Sequence, residues 1–146
     1  MGHKYNTVVI EISFEPELAD QLYALRVSPV LENAENIHLV YVHKAEHPDE
    51  EDFASLEKQL LLKIEDFKTK IIPHVKRNNC ITKCIFSNNL KIAAKEYLET
   101  IEPDIIINAT HSSHDIDRCF SESFSNYLVR HAPCDVFILR PKKKVA

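Results

Sequence analysis

The side chains able to do chemistry gather after two apolar runs. His111 and His114 stand with Asp115 and Asp117 just beyond Ile105-Ile106-Ile107, and His43 and His47 follow Leu39-Val40-Tyr41-Val42. Imidazole nitrogens with carboxylate oxygens are ligands for a divalent transition metal, so His43, His111 and His114 are the candidate metal site, and a metal-dependent hydrolase the activity it would imply. The spacing does not impose that site, because loop ligands are not held on one helical face and exposed loop histidines are ordinary. Glu122 and His111 would form an acid–base pair only if the loop brought them together. Ser123, opening an amphipathic segment, reads as a helix N-cap. The cysteines Cys80, Cys84, Cys119 and Cys134 are too few and scattered for a disulfide framework. On a strand, Cys80 and Cys84 lie ~13 Å apart, too far for one bond or one metal, so free and mostly buried thiols are expected.

What is missing narrows the chemistry further. The chain has a single glycine, Gly2. Turns that cradle phosphate depend on glycine for positive φ and close backbone approach, so every glycine-rich nucleotide loop is disfavoured at once. There is no Gly-x-Ser-x-Gly elbow, Walker loop or His-Glu-x-x-His helix, and an enzyme is not expected. The 146 residues are 45% hydrophobic and 27% charged, which describes one globular domain spanning residues 1–146, with an ordered core over about residues 5–140. A net charge of −4 gives no reason to expect nucleic acid, and the basic run Lys142-Lys143-Lys144 reads as a solvated tail within residues 141–146. No apolar run reaches the ~20 residues of a membrane span and no signal-peptide core opens the chain, so a cytoplasmic protein without membrane contact is expected.

The elements that must position these residues follow from periodicity. Val8-Val9-Ile10-Glu11-Ile12 reads as a first, central strand ending at Ser13, and Glu15-Pro16-Glu17 as a helix start. Leu18, Leu22 and Leu25 mark one face of that helix, which Pro29 must kink or end. A second strand covers residues 37–42. A long amphipathic helix from Asp49 carries Phe53, Leu56, Leu60, Ile64, Phe67 and Ile71 on one face. Residues 81–86 alternate weakly as a third, peripheral strand, capped by Ser87-Asn88-Asn89 ahead of a helix through Leu90, Ala94, Leu98 and Ile101. A fourth strand, a polar loop over residues 109–122, a helix from about Phe124 and a last strand at Val136-Phe137-Ile138-Leu139 complete the chain. The alternation predicts a single three-layer, doubly wound α/β domain, Rossmann-like, with five parallel strands and right-handed crossovers, for which the order 3-2-1-4-5 is expected. Ligands of such sheets bind outside the carboxyl ends of the strands, which points to residues 109–122.

Those residues also carry a resemblance. The first strand with its Ser-Phe-Glu-Pro-Glu, the Pro103-Asp104-Ile-Ile-Ile strand and above all Tyr127-Leu128-Val129-Arg130-His131-Ala132-Pro133-Cys134-Asp135-Val136 resemble the universal stress protein family over nearly the whole chain. Members that bind ATP place two glycines, separated by two residues, after the fourth strand, then nine residues, a third glycine and Ser or Thr. The matching positions here are Ala109, Ser112, Glu122 and Ser123: the spacing survives and the glycines do not. Ala109 adds only a methyl group. Ser112 restricts positive φ, though its hydroxyl could donate a hydrogen bond. Glu122 puts a carboxylate at the expected amino end of the last helix, where phosphate would otherwise bind, and two like charges ~4 Å apart repel by about 1 kcal/mol even in water. The family's nucleotide-contacting Asp falls on Ser13, Val42 keeps the adenine-side position, and Asn108 stands where an apolar residue is common.

The resemblance therefore implies a branch with a degenerate nucleotide motif: a non-enzymatic stress-response protein without a tightly bound ATP and with no cofactor, acting through contact with an unidentified protein. The alternative is a sensor that keeps AMP, or ATP weakly, using Val42, Ala109, Ser123 and Ser125. An apolar edge strand must be covered or paired. In this family the last strand commonly pairs with its own copy, so a homodimer through Val136, Phe137, Ile138, Leu139 and Arg140 is expected.

Overall fold

The computed structural model describes residues 5–49, 52–72, 79–110 and 119–140, without the side chains of residues 119–123. Five parallel strands form one sheet in the order β3-β2-β1-β4-β5. They are β1 (Thr7–Glu11), β2 (Asn36–Lys44), β3 (Cys80–Ser87), β4 (Ile105–Ala109) and β5 (Asp135–Leu139). β1 pairs with β2 through Ile10↔Leu39 and with β4 through Ile10↔Ile107, which makes it the centre of the sheet. The expected topology and strand order are those observed.

Two helical layers follow from the period-two alternation of buried strands. Val8, Ile10, Ile37, Leu39, Ile105 and Ile107 face α1 (Pro16–Tyr23), a 3₁₀ turn at Ala24–Val27, α2 (Pro29–Glu32) and α3 (Ala54–Ile71). Val9, Val40, Val42 and Ile106 face α4 (Leu90–Ile101) and α5 (Cys119–His131). Pro29 does not merely end the first helix: Ser28 accepts from the Val30 N–H and caps a separate short helix that begins at the proline. Asn89 caps α4 by accepting from the Ile92 N–H, as the sequence suggested. With no glycine to use, α4 ends on Glu102 in the left-handed region, φ 53°.

Three boundaries depart from the sequence reading. α3 begins at Ala54, not Asp49, because the Asp52 carboxylate accepts the Ala54 N–H at 3.0 Å and sets the entry there. α5 begins at Cys119, four residues ahead of Ser123, so Ser123 lies inside the helix and is not its N-cap. Nothing between Cys119 and Ser123 breaks a helix, and the helix extends back over residues that read as loop. The third is the first strand: β1 stops at Glu11, while the Ile12 N–H still bonds the Val40 carbonyl at 2.8 Å.

At the amino ends of the strands, the Asp104 carboxylate accepts the backbone N–H groups of Asn6 and Thr7, both at 2.9 Å, and Tyr5 donates to Asp135 at 2.8 Å. These bonds tie β1, β4 and β5 together at the end opposite the crevice.

Candidate functional site

At the carboxyl ends of β1, β2 and β4 the sheet opens into a crevice of about 160 Å³. Its walls include Ile12, Leu18, Val42, Leu90 and Phe124, and its polar groups come from Glu11, Ser13, Glu15, Tyr41 and Asn108. Of the residues singled out from sequence, Ser13, Val42 and Ala109 line it. Ser125 is buried behind it. Ser112, His111 and His114 lie outside the described residues, as do the side chains of Glu122 and Ser123.

The most unusual group in the crevice is one the motif did not include. Glu11 is the last residue of β1, and by alternation its side chain shares the face of Val9, against α4 and α5. Asn108 donates an amide N–H to Glu11 Oε2, and Ser125 on α5 donates to Asn108 Oδ1 at 2.6 Å. Asn108 and Ser125 are 5% and 3% exposed, so this chain of hydrogen bonds is fixed inside the protein. Burial pushes the Glu11 carboxyl up to about 7, against the opposing pull of the Asn108 hydrogen bond. The signal was present in the sequence as a lone carboxylate inside Val8-Val9-Ile10-Glu11-Ile12, in phase with Val9.

Two other polar features flank the same layer. His38 Nδ1 and the Tyr97 hydroxyl meet at 3.0 Å between β2 and α4, and burial lowers the His38 pKa. A void of about 10 Å³ lies between, lined by both Glu11 and Tyr97. On the other side of the crevice Gln21 donates to the Thr110 carbonyl at 3.4 Å, while Gln21 Oε1 and Thr110 Oγ1 have no partner among the described residues.

Of the candidate metal ligands only His43 lies among the described residues. His43 packs its ring against Phe86 at 5.5 Å and Tyr41 at 6.0 Å and does not line the crevice. Among the described residues no three His, Cys, Asp or Glu side chains are grouped so as to hold a metal ion. Cys80, Cys84 and Cys134 are free; burial pushes the first two thiols up to about 11, which leaves them unreactive at neutral pH. No helix among the described residues is long and apolar enough to cross a membrane.

β5 is an edge of the sheet, bonded to β4 alone. Val136, Ile138 and Leu139 are half-buried, and Phe137 is 41% exposed.

A sequence model described as the universal stress protein family matches residues 17–140. A Staphylococcus aureus (strain USA300) protein whose curated name places it among universal stress proteins is 32% identical over 62 residues, which is 42% of this chain and 37% of that relative. Among solved structures, an Arabidopsis thaliana universal stress protein family protein with AMP bound superposes with a TM-score of 0.55 at 15% identity, over 94% of this chain and 92% of that one. The Archaeoglobus fulgidus universal stress protein in complex with dAMP gives 0.59 at 11% identity, over 94% and 99%. At these identities the structures establish a shared fold.

Proposed function

This chain belongs to the universal stress protein family, and on that footing we propose that it is a cytoplasmic, non-enzymatic stress-response protein, homodimeric through β5, that does not bind ATP tightly. The observation that carries the last point is the lining of the crevice. It presents two carboxyl side chains, Glu11 and Glu15, and no Lys, Arg or His among the described lining residues. A triphosphate would meet carboxyl groups and no cation among the described lining residues, and each close pair of like charges costs about 1 kcal/mol in water and more in a partly dry site.

The same crevice favours a second reading alongside the first. Its apolar walls suit a flat heterocycle, and solved relatives are described with AMP and dAMP bound. An adenine mononucleotide, with less charge to accommodate, is the ligand class that fits.

Calorimetric titration of protein checked free of carried-over ligand, with ATP and with AMP in magnesium, tests both statements. AMP should bind more tightly than ATP. Micromolar ATP binding equal to or tighter than that of AMP overturns the electrostatic argument. Silence toward both leaves protein contact as the working role. For the dimer, sedimentation at micromolar concentration should report two chains, and Ile138→Lys, which places a charge in the half-buried edge, should give monomer; a wild-type monomer at that concentration removes the dimer from the proposal.

A further inference from the structure

One hydrogen-bond acceptor in the crevice is left over among the described residues. Ser125 donates to Asn108 Oδ1, so the Asn108 amide is held with its Nδ2 toward Glu11. That N–H occupies Glu11 Oε2, while Glu11 Oε1 makes no hydrogen bond among the described residues. Asn108 from β4, Tyr41 from β2 and Glu15 ahead of α1 line the crevice with Glu11, and Tyr97 from α4 lies across the small void; no described residue there is cationic. A ligand that displaces water from the crevice must complete the carboxyl group or leave it dry and unpaired, which is costly.

We infer that Glu11 is the specificity-determining residue of this crevice: it admits planar ligands that present an N–H donor, such as the amino group of an aminopurine, and rejects ligands whose edge offers acceptors alone. The inference rests on the reading of the crevice as a mononucleotide site and states what that site selects. Asn108 and Ser125 are positioning residues. They fix which oxygen is engaged and leave the other for the ligand. The apolar walls Ile12, Leu18, Val42 and Phe124 supply contact area without offering a competing polar choice.

The test is titration at pH 8, where Glu11 is largely ionised, with AMP and with purine riboside 5′-monophosphate, which differs by lacking the 6-amino group. The wild-type protein should prefer AMP by about tenfold or more, the usual effect of a hydrogen bond to a charged group. Glu11→Gln keeps the shape and should still take the Asn108 N–H on its amide oxygen, which turns its own NH₂ outward as a donor; the preference should vanish or reverse. Ser125→Ala frees Asn108 to turn over and should weaken the preference, read as the ratio of the two dissociation constants. A thermal melt confirms that each variant is folded. Equal binding of both ligands by wild type overturns the selectivity while leaving the crevice reading intact. A preference that persists unchanged in Glu11→Gln overturns the assignment to Glu11. Binding of neither ligand overturns the crevice reading and this inference with it.

Discussion

The two faces of the one sheet are built on different terms. Toward α1 and α3 the strands present Val8, Ile10, Ile37, Leu39, Ile105 and Ile107, closed by Leu22, Ile64, Phe67 and Ile71, almost all below 5% exposure. Phe14, Tyr23 and Phe67 add ring contacts, 6.4 Å between Phe14 and Phe67 and 5.4 Å between Tyr23 and Phe67. Toward α4 and α5 the same strands place Glu11, His38 and Asn108 among Val9, Val40, Val42 and Ile106, with Tyr97 and Ser125 coming down from the helices. One face is built almost wholly of apolar side chains, whereas the other keeps polar groups in hydrogen-bonded pairs and chains. Stability is concentrated on the first face, which leaves the second free to hold a titratable site that a uniformly apolar core would not tolerate.

The largest effect should come from breaking the apolar face. Leu22 has no exposed surface and packs on the central strands. Leu22→Ala should lower unfolding stability by about 3 kcal/mol through lost transfer energy and the cavity left behind. Urea denaturation reads this directly, and the loss should be nearly the same at pH 5 and pH 8, since no titratable group is involved.

On the other face a substitution should do the opposite. A carboxyl whose pKa rises on folding from 4.5 to about 7 favours the neutral form in the native state. Its stability is fully present below pH 4.5, is lost as pH climbs to about 7, and is level above that. The shift is worth about 3 kcal/mol at most, and contact with solvent through the crevice brings a realistic figure to about 2 kcal/mol. Glu11→Gln, permanently neutral, should therefore stabilise the protein at pH 8 by that amount and change little at pH 4.5. No gain at pH 8 would mean that water reaches the carboxylate freely.

These two residues also mark what can be read without a structure. The apolar face was legible because it is repetitive: Leu18, Leu22 and Leu25, then Leu60, Ile64, Phe67 and Ile71, recur at helical spacing, and unbroken apolar strands imply burial on both sides. The parallel, doubly wound sheet followed from the alternation of elements, which by itself leaves the strand order open. The polar face was legible only in part. Ser13, Val42, Ala109 and Ser125 could be placed by resemblance, yet Ser125 does not line the crevice; it acts behind Asn108. Glu11 does not stand out because one carboxylate in a strand reads as an interruption, and only the parity it shares with Val9 says that it points into the α4/α5 layer. Its partners, Asn108 and Ser125, lie 97 and 114 positions away, and no local pattern announces such a meeting. The start of α5 was misplaced for a different reason: Ser123 suits an N-cap, and a helix that simply continues through a good cap leaves no mark in the sequence.

A smaller change should test whether the polar chain is a single unit. Ser125→Ala removes the donor to Asn108 Oδ1 in a site 3% exposed, and the orphaned acceptor should cost about 1 kcal/mol in denaturant unfolding. If the chain holds Glu11 as described, the loss in a Glu11→Gln background should differ from the loss in wild type, because neighbours that share a network are not additive. Identical losses would show that Ser125 serves Asn108 alone.

The smallest effect belongs to His38 and Tyr97, and it runs against Glu11 in sign. Burial lowers the His38 pKa from 6.5, so the native state prefers the neutral ring, and the stability this gives is present above pH 6.5 and lost as pH falls below it. The Tyr97 hydroxyl can serve either state. It donates to a neutral Nδ1 and accepts from a protonated one. Tyr97→Phe should cost about 0.5–1 kcal/mol at pH 8, where only the neutral pairing is lost. The cost should grow toward pH 5, because the charged ring then has no acceptor and its protonation becomes harder still. In wild type this acid branch is masked, since Glu11 gains stability over the same fall in pH, so the comparison is made in Glu11→Gln, where the opposing slope is gone. A cost that stays flat from pH 8 to pH 5 in that background would mean that His38 finds another acceptor when it is protonated, and that the second polar pair of this face does not depend on Tyr97.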